Sequence, residues 1–196
     1  MLLLLLVEIK NGAMMKRVVW ANKSNSQLCV TIPKNSGIGE GDIVSIEKDK
    51  INTVVYSSVT ADLFHYGHLR LLEKANELGD LHICSVLTDE AISSYKQKPV
   101  AGLKERSAII SALRCVDMVM TQYSLNPSEN LRKIHEQFPD ADIIVVYGSN
   151  WKDVPGREYI DEIGAKVVQP EFYEKLSTEN IIKKINSSSR KREDGK

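Results

Sequence analysis

Asp62-Leu63-Phe64-His65-Tyr66-Gly67-His68 follows the apolar run Thr53-Val54-Val55-Tyr56 and leads into an amphipathic stretch. Leu71, Leu72, Ala75 and Leu78 share one face of that stretch, and Gly79 ends it, so residues 67–78 are predicted to be a helix. Further along, apolar strands are predicted at 81–87, 116–120, 142–147 and 165–168. Helices are predicted at 89–95, 103–113, 128–138, 158–163 and 178–185. Continuous apolar strands alternating with amphipathic helices predict an α/β fold, a Rossmann-like parallel sheet with helices on both faces.

In such sheets ligands bind beyond the carboxyl ends of the strands. A helix that starts there offers free N–H groups and a partial positive charge, which suit phosphate. His65 and His68, three positions apart, can converge on one oxyanion, and Gly67 allows close backbone approach. The same imidazoles could be ordinary cap or surface residues. A metal site lacks a neighbouring Cys or carboxylate set, so the reading has no metal-ligating residues. The position behind a buried strand turns the reading towards phosphate.

Three motifs stand in order: His65-Tyr66-Gly67-His68, Arg114-Cys115-Val116-Asp117 and Leu176-Ser177-Thr178-Glu179-Asn180-Ile181. They resemble the His-x-Gly-His, Arg-Tyr-Val-Asp and Ile-Ser-Thr-Thr-x-Ile signatures of the cytidylyltransferase-like nucleotidyltransferase superfamily, over about residues 53–185. The resemblance implies that a nucleoside triphosphate, CTP, binds with Mg²⁺ as cofactor across the histidine turn. A phosphate oxygen of an acceptor then attacks the α-phosphorus in line and pyrophosphate leaves. The protein positions the reactants and neutralises charge.

The resemblance also implies residue roles. His65, His68 and Arg114 would face the phosphates, and Lys96 and Lys98 would belong to a mobile basic loop. Thr60, Ala61 and Asp62 would touch the nucleotide by backbone. Tyr66, Gly67, Asp117, Leu176, Ser177, Thr178 and Glu179 would complete the nucleotide site. Ser177 and Thr178 also read as a plain helix cap. Trp151 and Arg106 would serve the substrate pocket, although Trp151 also reads as a packed surface aromatic and Arg106 as the partner of a carboxylate. His82, inside an apolar strand, reads as core.

Some positions depart from the pattern. Val59-Thr60-Ala61-Asp62 stands where Gly-x-Phe-Asp is common, a form that resembles a phosphonate-activating branch. Motif order and length resemble the glycerol-3-phosphate branch equally well. Lys175 replaces an arginine expected before the Ser-Thr motif and loses its bidentate fork. Glu179 stands where threonine is frequent. The favoured reading is cytidylyl transfer to a small alcohol phosphate. The alternatives are CTP-dependent activation of a phosphonate such as 2-aminoethylphosphonate, an ATP-dependent adenylyltransferase, and a DNA-binding nucleotide sensor.

Residues 16–50 read as a small all-β unit with strands at 16–20, 27–33 and 42–47. Leu28-Cys29-Val30-Thr31-Ile32-Pro33-Lys34-Asn35-Ser36-Gly37-Ile38 and Glu40-Gly41-Asp42 resemble the AbrB-like swapped-hairpin family. That resemblance implies a homodimer made by hairpin exchange. The expected organisation is an extension at 1–15, the β unit at 16–50, the nucleotidyltransferase domain at 51–186 and a disordered tail at 187–196. Lys+Arg and Asp+Glu balance at 26 each, which excludes a general polyanion binder and makes DNA an improbable partner. Six apolar residues after Met1 are too few to span a bilayer. Cys29, Cys84 and Cys115 match no metal spacing and read as reduced thiols, so the expectation is a cytoplasmic protein without membrane insertion.

Overall fold

A computed structural model describes residues 3–8, 14–21, 28–30, 37–40, 45–48, 50–149, 151–171, 173 and 175–193. The chain divides into two compact units, Met1–Ile51 and Asn52–Lys196.

In the first unit, strands β1 (Leu3–Glu8), β2 (Met14–Ala21), β3 (Leu28–Val30) and β4 (Ser45–Lys48) form one antiparallel sheet in the order β3-β2-β1-β4. The expected extension is therefore corrected, because β1 lies inside this sheet, paired with β2 on one side and β4 on the other. A leucine run too short for a membrane span is long enough for a strand of six residues. Residues 31–36 and 41–44, which carry most of the swapped-hairpin resemblance, lie outside the described residues.

The second unit is a parallel five-stranded sheet flanked by helices. Its strands are β5 (Thr53–Val59), β6 (Leu81–Leu87), β7 (Met118–Gln122), β8 (Asp142–Val146) and β9 (Lys166–Val168). Its helices are α1 (Tyr66–Asn76), α2 (Asp89–Ser93), α3 (Leu103–Ser111), α4 (Ser128–Gln137), α5 (Arg157–Glu162) and α6 (Thr178–Glu193). The strand order is β7-β6-β5-β8-β9, and every pairing is parallel. From β5 the chain steps outward to β6 and β7, then crosses back to β8 on the other side. The order thus reverses between β5 and β8, and a crevice opens there at the carboxyl ends.

The core explains the helix placement. Val59, Cys84 and Val86 pack with Leu72 of α1 and Ile110 of α3, while Val55 and Val146 pack with Ala75. Tyr56 points to the opposite face, where Asn130 of α4 reaches its hydroxyl at 3.3 Å. Burial pushes the Cys84 thiol up to about 12, so it is an inert core group. The tail also needs correction, since α6 runs on through the expected disordered segment to Glu193. Its Lys, Arg and Glu residues are good helix formers, which the lack of apolar periodicity concealed. Among the described residues no helix is long and apolar enough to cross a membrane.

Candidate active site

The connection from β5 to α1 is tight and strained. Ala61 (φ 57°) and Leu63 (φ 46°) both adopt left-handed backbone, which costs about 1–2 kcal/mol per non-glycine residue. The Asp62 carboxylate takes the N–H groups of Val100 and Ala101, each at 3.1 Å. The Asp62 carbonyl accepts from the Thr178 hydroxyl at 3.3 Å. One residue thus joins the β5 loop, the segment before α3 and the start of α6.

His65 caps α1 in extended backbone (φ −142°, ψ 173°). Its Nδ1 accepts the Gly67 N–H at 3.1 Å, and the Nδ1 of His68 accepts the His65 N–H at 3.4 Å. The two rings lie 4.0 Å apart between centroids. Because each Nδ1 accepts, the proton of each neutral ring sits on Nε2, a donor left free for a ligand. Burial lowers both pKa values. His68 falls to about 4, through burial first and then the neighbouring His65 and Lys96. His65 falls through burial, partly offset by Glu179. Both rings are therefore neutral near pH 7.

These rings open onto a cavity of about 300 Å³. Thr60, Gly67 and Lys96 line it beside them, with Ser177, Thr178 and Glu179 at the start of α6. The Lys96 ammonium lies 3.4 Å from the Thr60 hydroxyl. Ser177 caps α6, its hydroxyl accepting the Asn180 N–H at 3.2 Å, so the cap and the cavity wall coincide. Trp151 forms another wall, with Tyr95 at 6.3 Å and Tyr147 at 5.9 Å between ring centroids.

Gly67 is needed for close approach. A Cβ there would meet the His65 ring at 2.9 Å and the Leu176 carbonyl at 3.3 Å. Gly67→Ala is expected to push the His65 ring out of place and weaken nucleotide binding roughly tenfold, about 1.4 kcal/mol by calorimetry. An unchanged Kd would remove the His65 turn from the binding account.

Several expected residues stand elsewhere. Arg114 is exposed, and Asp117 receives the His82 N–H at 2.8 Å. Both precede β7 at its amino end, roughly 15 Å of strand from the cavity, and neither lines it. The side chain of Arg106 is wholly buried. It donates to Ala101 O (2.9 Å), Thr60 O (2.6 Å) and Asp89 (2.5 Å), which leaves it no reach to a substrate. Tyr66 packs against Tyr173 in a T-shaped pair and does not line the cavity. Lys98 and Lys175 are exposed and do not line the cavity, and Ala61 belongs to the core. Leu176 contributes its carbonyl beside Gly67.

Sequence reading missed a buried polar network under the site. Tyr56 and Ser85 hydroxyls both meet Gln122 Oε1 at 2.7 Å, and Gln122 Nε2 donates to Ser124 O and Leu125 O. This network sets Leu125 against the cavity. The available signal was polar residues inside apolar strands.

His82 sits in the core as expected. Its Nδ1 donates to Cys115 O, so its Nε2 accepts from Ser57 Oγ at 2.8 Å, and burial lowers its pKa. His65, His68 and His82 thus all bind protons better in the unfolded chain, with an ordinary value of 6.5. Their stabilising contribution is full above pH 6.5 and is lost as pH falls towards about 4, the folded value of His68. Urea midpoints are expected to fall across that window, and less steeply in His68→Ala. A flat profile would show that the rings are not held neutral. Glu179, whose pKa is lowered by its own backbone N–H first, loses its contribution only at lower pH.

A helix-flanked parallel sheet with a cavity at its switch point, lined by the start of α1, is a doubly wound α/β domain of the kind that binds ligands there. The chain belongs to the cytidylyltransferase-like family, whose model matches residues 60–193. It is 33% identical over 165 residues to the bifunctional protein HldE of Geobacter sulfurreducens, covering 75% of this chain and 32% of that protein. The HldE of Helicobacter hepaticus is 33% identical over 156 residues, covering 77% of this chain and 30% of that one. The chain therefore spans about a third of the length of the curated relatives it matches. Among solved structures, the lipopolysaccharide core biosynthesis protein from Thermoplasma volcanium shares the fold, with a TM-score of 0.51 at 22% identity. That match covers 64% of this chain and 100% of the other.

Proposed function

We propose that the chain transfers a nucleotidyl group from a nucleoside triphosphate to the phosphate of a small acceptor. The carrying observation is the His65–His68 pair, two neutral rings whose Nε2–H groups are free beside the start of α1. An acceptor oxygen forms a bond to the α-phosphorus while the bond to the pyrophosphate oxygen breaks. Charge builds on the phosphate oxygens, and Nε2–H donors and Lys96 offset it without forming a covalent intermediate. The start of α6, which lines the cavity, receives the distal phosphates at the positive end of its dipole.

Magnesium fits this cavity as a companion of the nucleotide. Among the described residues no group of three or more His, Cys, Asp or Glu could hold a metal. Both Asp62 oxygens already accept backbone N–H groups. Among the described residues Glu179 is the one carboxylate lining the cavity, and Mg²⁺ commonly uses one or two carboxylates plus substrate phosphates. Bound there, the ion would neutralise phosphate charge.

The proposed donor is CTP and the proposed acceptor an alcohol phosphate of glycerol phosphate type, after the motif order. The relatives reported above bear the name HldE and not that of a cytidylyltransferase, so ATP is the second donor to test. The test is pyrophosphate release with Mg²⁺, pairing CTP or ATP with sugar phosphates, polyol phosphates and phosphonates. Release with one pair fixes donor and acceptor. No release with any pair, despite a folded chain, overturns the reading.

A further inference from the structure

Gln122 is the last residue of β7 and only 2% exposed. A buried amide needs partners at both its ends. Its Oε1 accepts the Tyr56 and Ser85 hydroxyls from the neighbouring strands, each at 2.7 Å. Its Nε2 donates forward into the next loop, to Ser124 O at 2.8 Å and Leu125 O at 3.1 Å. Loop carbonyls lack the ladder partners of a strand, so a side chain that bonds two of them in succession fixes the path of the chain there. Ser124 Oγ also bonds Asn126 O at 2.9 Å, and Ser128 bonds the Asn126 side chain. Those bonds stay within the connection and do not tie it to the sheet.

Leu125 is the residue thus placed. It lines the cavity and packs on Leu87, Ala91 and Ile92, at the end of β6 and in α2. Leu87 ends β6 and Leu125 follows β7, whereas the His65–His68 turn follows β5. Phosphates held at the histidines leave this apolar wall to the carbon skeleton of the acceptor. We infer that Gln122 is a positioning residue for acceptor selectivity, holding Leu125 at a fixed depth in the wall beside the reacting phosphate. The inference rests on the nucleotidyltransferase reading. Gln122 itself touches neither substrate. A packed wall discriminates one methylene by about tenfold or more, and it does so only while it cannot give way.

The experiment is steady-state pyrophosphate release by the full chain with Mg²⁺, varying nucleotide and acceptor in turn. The nucleotides are CTP and ATP; the acceptors are glycerol phosphate, 2-aminoethylphosphonate and homologues of each one methylene longer. Gln122→Met keeps the length of the side chain and loses its bonds. Gln122→Glu keeps an acceptor for both hydroxyls, loses the donor to the loop, and carries the test if the methionine variant does not fold. Both are expected to raise the acceptor KM about tenfold with kcat within about threefold and the nucleotide KM unmoved. The preference between acceptors one methylene apart should narrow by a similar factor. Leu125→Ala should reproduce this with Gln122 intact. Tyr56→Phe takes a hydroxyl from the network and leaves the bonds of Gln122 to the loop, so it should lower the urea midpoint without moving the acceptor KM. A merely structural role would lower the midpoints and move no KM. An unchanged acceptor KM in both Gln122 variants, or a shift confined to the nucleotide KM, overturns the role of Gln122 and leaves the enzyme reading standing. Wild type that releases no pyrophosphate with any pair overturns both.

Discussion

His68→Ala is expected to lower nucleotidyl transfer by about 10²–10³-fold, the usual cost of removing one preorganised donor to a developing oxyanion. His68 is the better placed of the pair. Its Nδ1 faces the His65 N–H, so its orientation is set by backbone, and Phe64 stacks on it at 5.5 Å. Burial and the neighbouring Lys96 hold it neutral, so its Nε2–H donates without first losing a proton. As phosphate charge builds, the hydrogen bond from Nε2–H strengthens, and stabilisation grows towards the transition state. That differential accelerates the reaction, whereas equal binding of both states would not.

The fold should survive the change. The lost acceptor bond is long at 3.4 Å, and a weak cap bond contributes on the order of 1 kcal/mol or less. Circular dichroism and urea unfolding check this, while kcat and nucleotide Kd are read separately. His68→Asn restores an acceptor for the His65 N–H and a donor towards the cavity, so it should recover part of the rate. Turnover of His68→Ala within about threefold of wild type would remove His68 from the chemistry.

Much of the second unit was readable because its strands announce themselves as apolar runs, β5 and β6 being buried almost throughout. β6 coincides with its predicted span, and β5, β7, β8 and β9 differ only at their ends. The histidine turn was readable for a local reason, since cap, glycine and imidazoles occupy four consecutive positions. The approach of Ser177, Thr178 and Glu179 was expected only through family resemblance, and in the fold Thr178 bonds to Asp62 across 116 positions. Arg114 shows the limit of that reasoning. A motif carries the residue type but not the end of the strand on which it stands, and here it stands at the amino end. Arg106 shows another limit: its alternative reading as the partner of a carboxylate matches Asp89, but nothing local marks its full burial or its bonds to the Thr60 and Ala101 carbonyls.

Arg106→Ala should therefore damage stability more than any change on the cavity wall. Its guanidinium is fully enclosed, and three nitrogens donate to Ala101 O, Thr60 O and Asp89. Truncation leaves those acceptors without their donor and opens a void in a close-packed region. Removing one partner of a buried pair costs about 3–5 kcal/mol. The Asp89 side chain remains 31% exposed and regains some water, which places the loss near the lower end, about 3 kcal/mol. For a unit of this size that is a fall in Tm of roughly 10 °C. Arg106→Lys should recover little, since one ammonium lacks the planar fork that spans three acceptors. Urea unfolding checks the value, with the midpoint falling at constant slope. A loss below about 1 kcal/mol would mean that the contacts of Arg106 are replaced by water, contrary to its enclosure. The site should suffer with the fold. Thr60 and Ala101 are the two backbone points Arg106 ties, and Asp62 holds the Ala101 N–H beside them. Near its midpoint the variant should lose nucleotide binding before it loses helix signal, because the strained turn at Ala61 and Leu63 is what those bonds restrain.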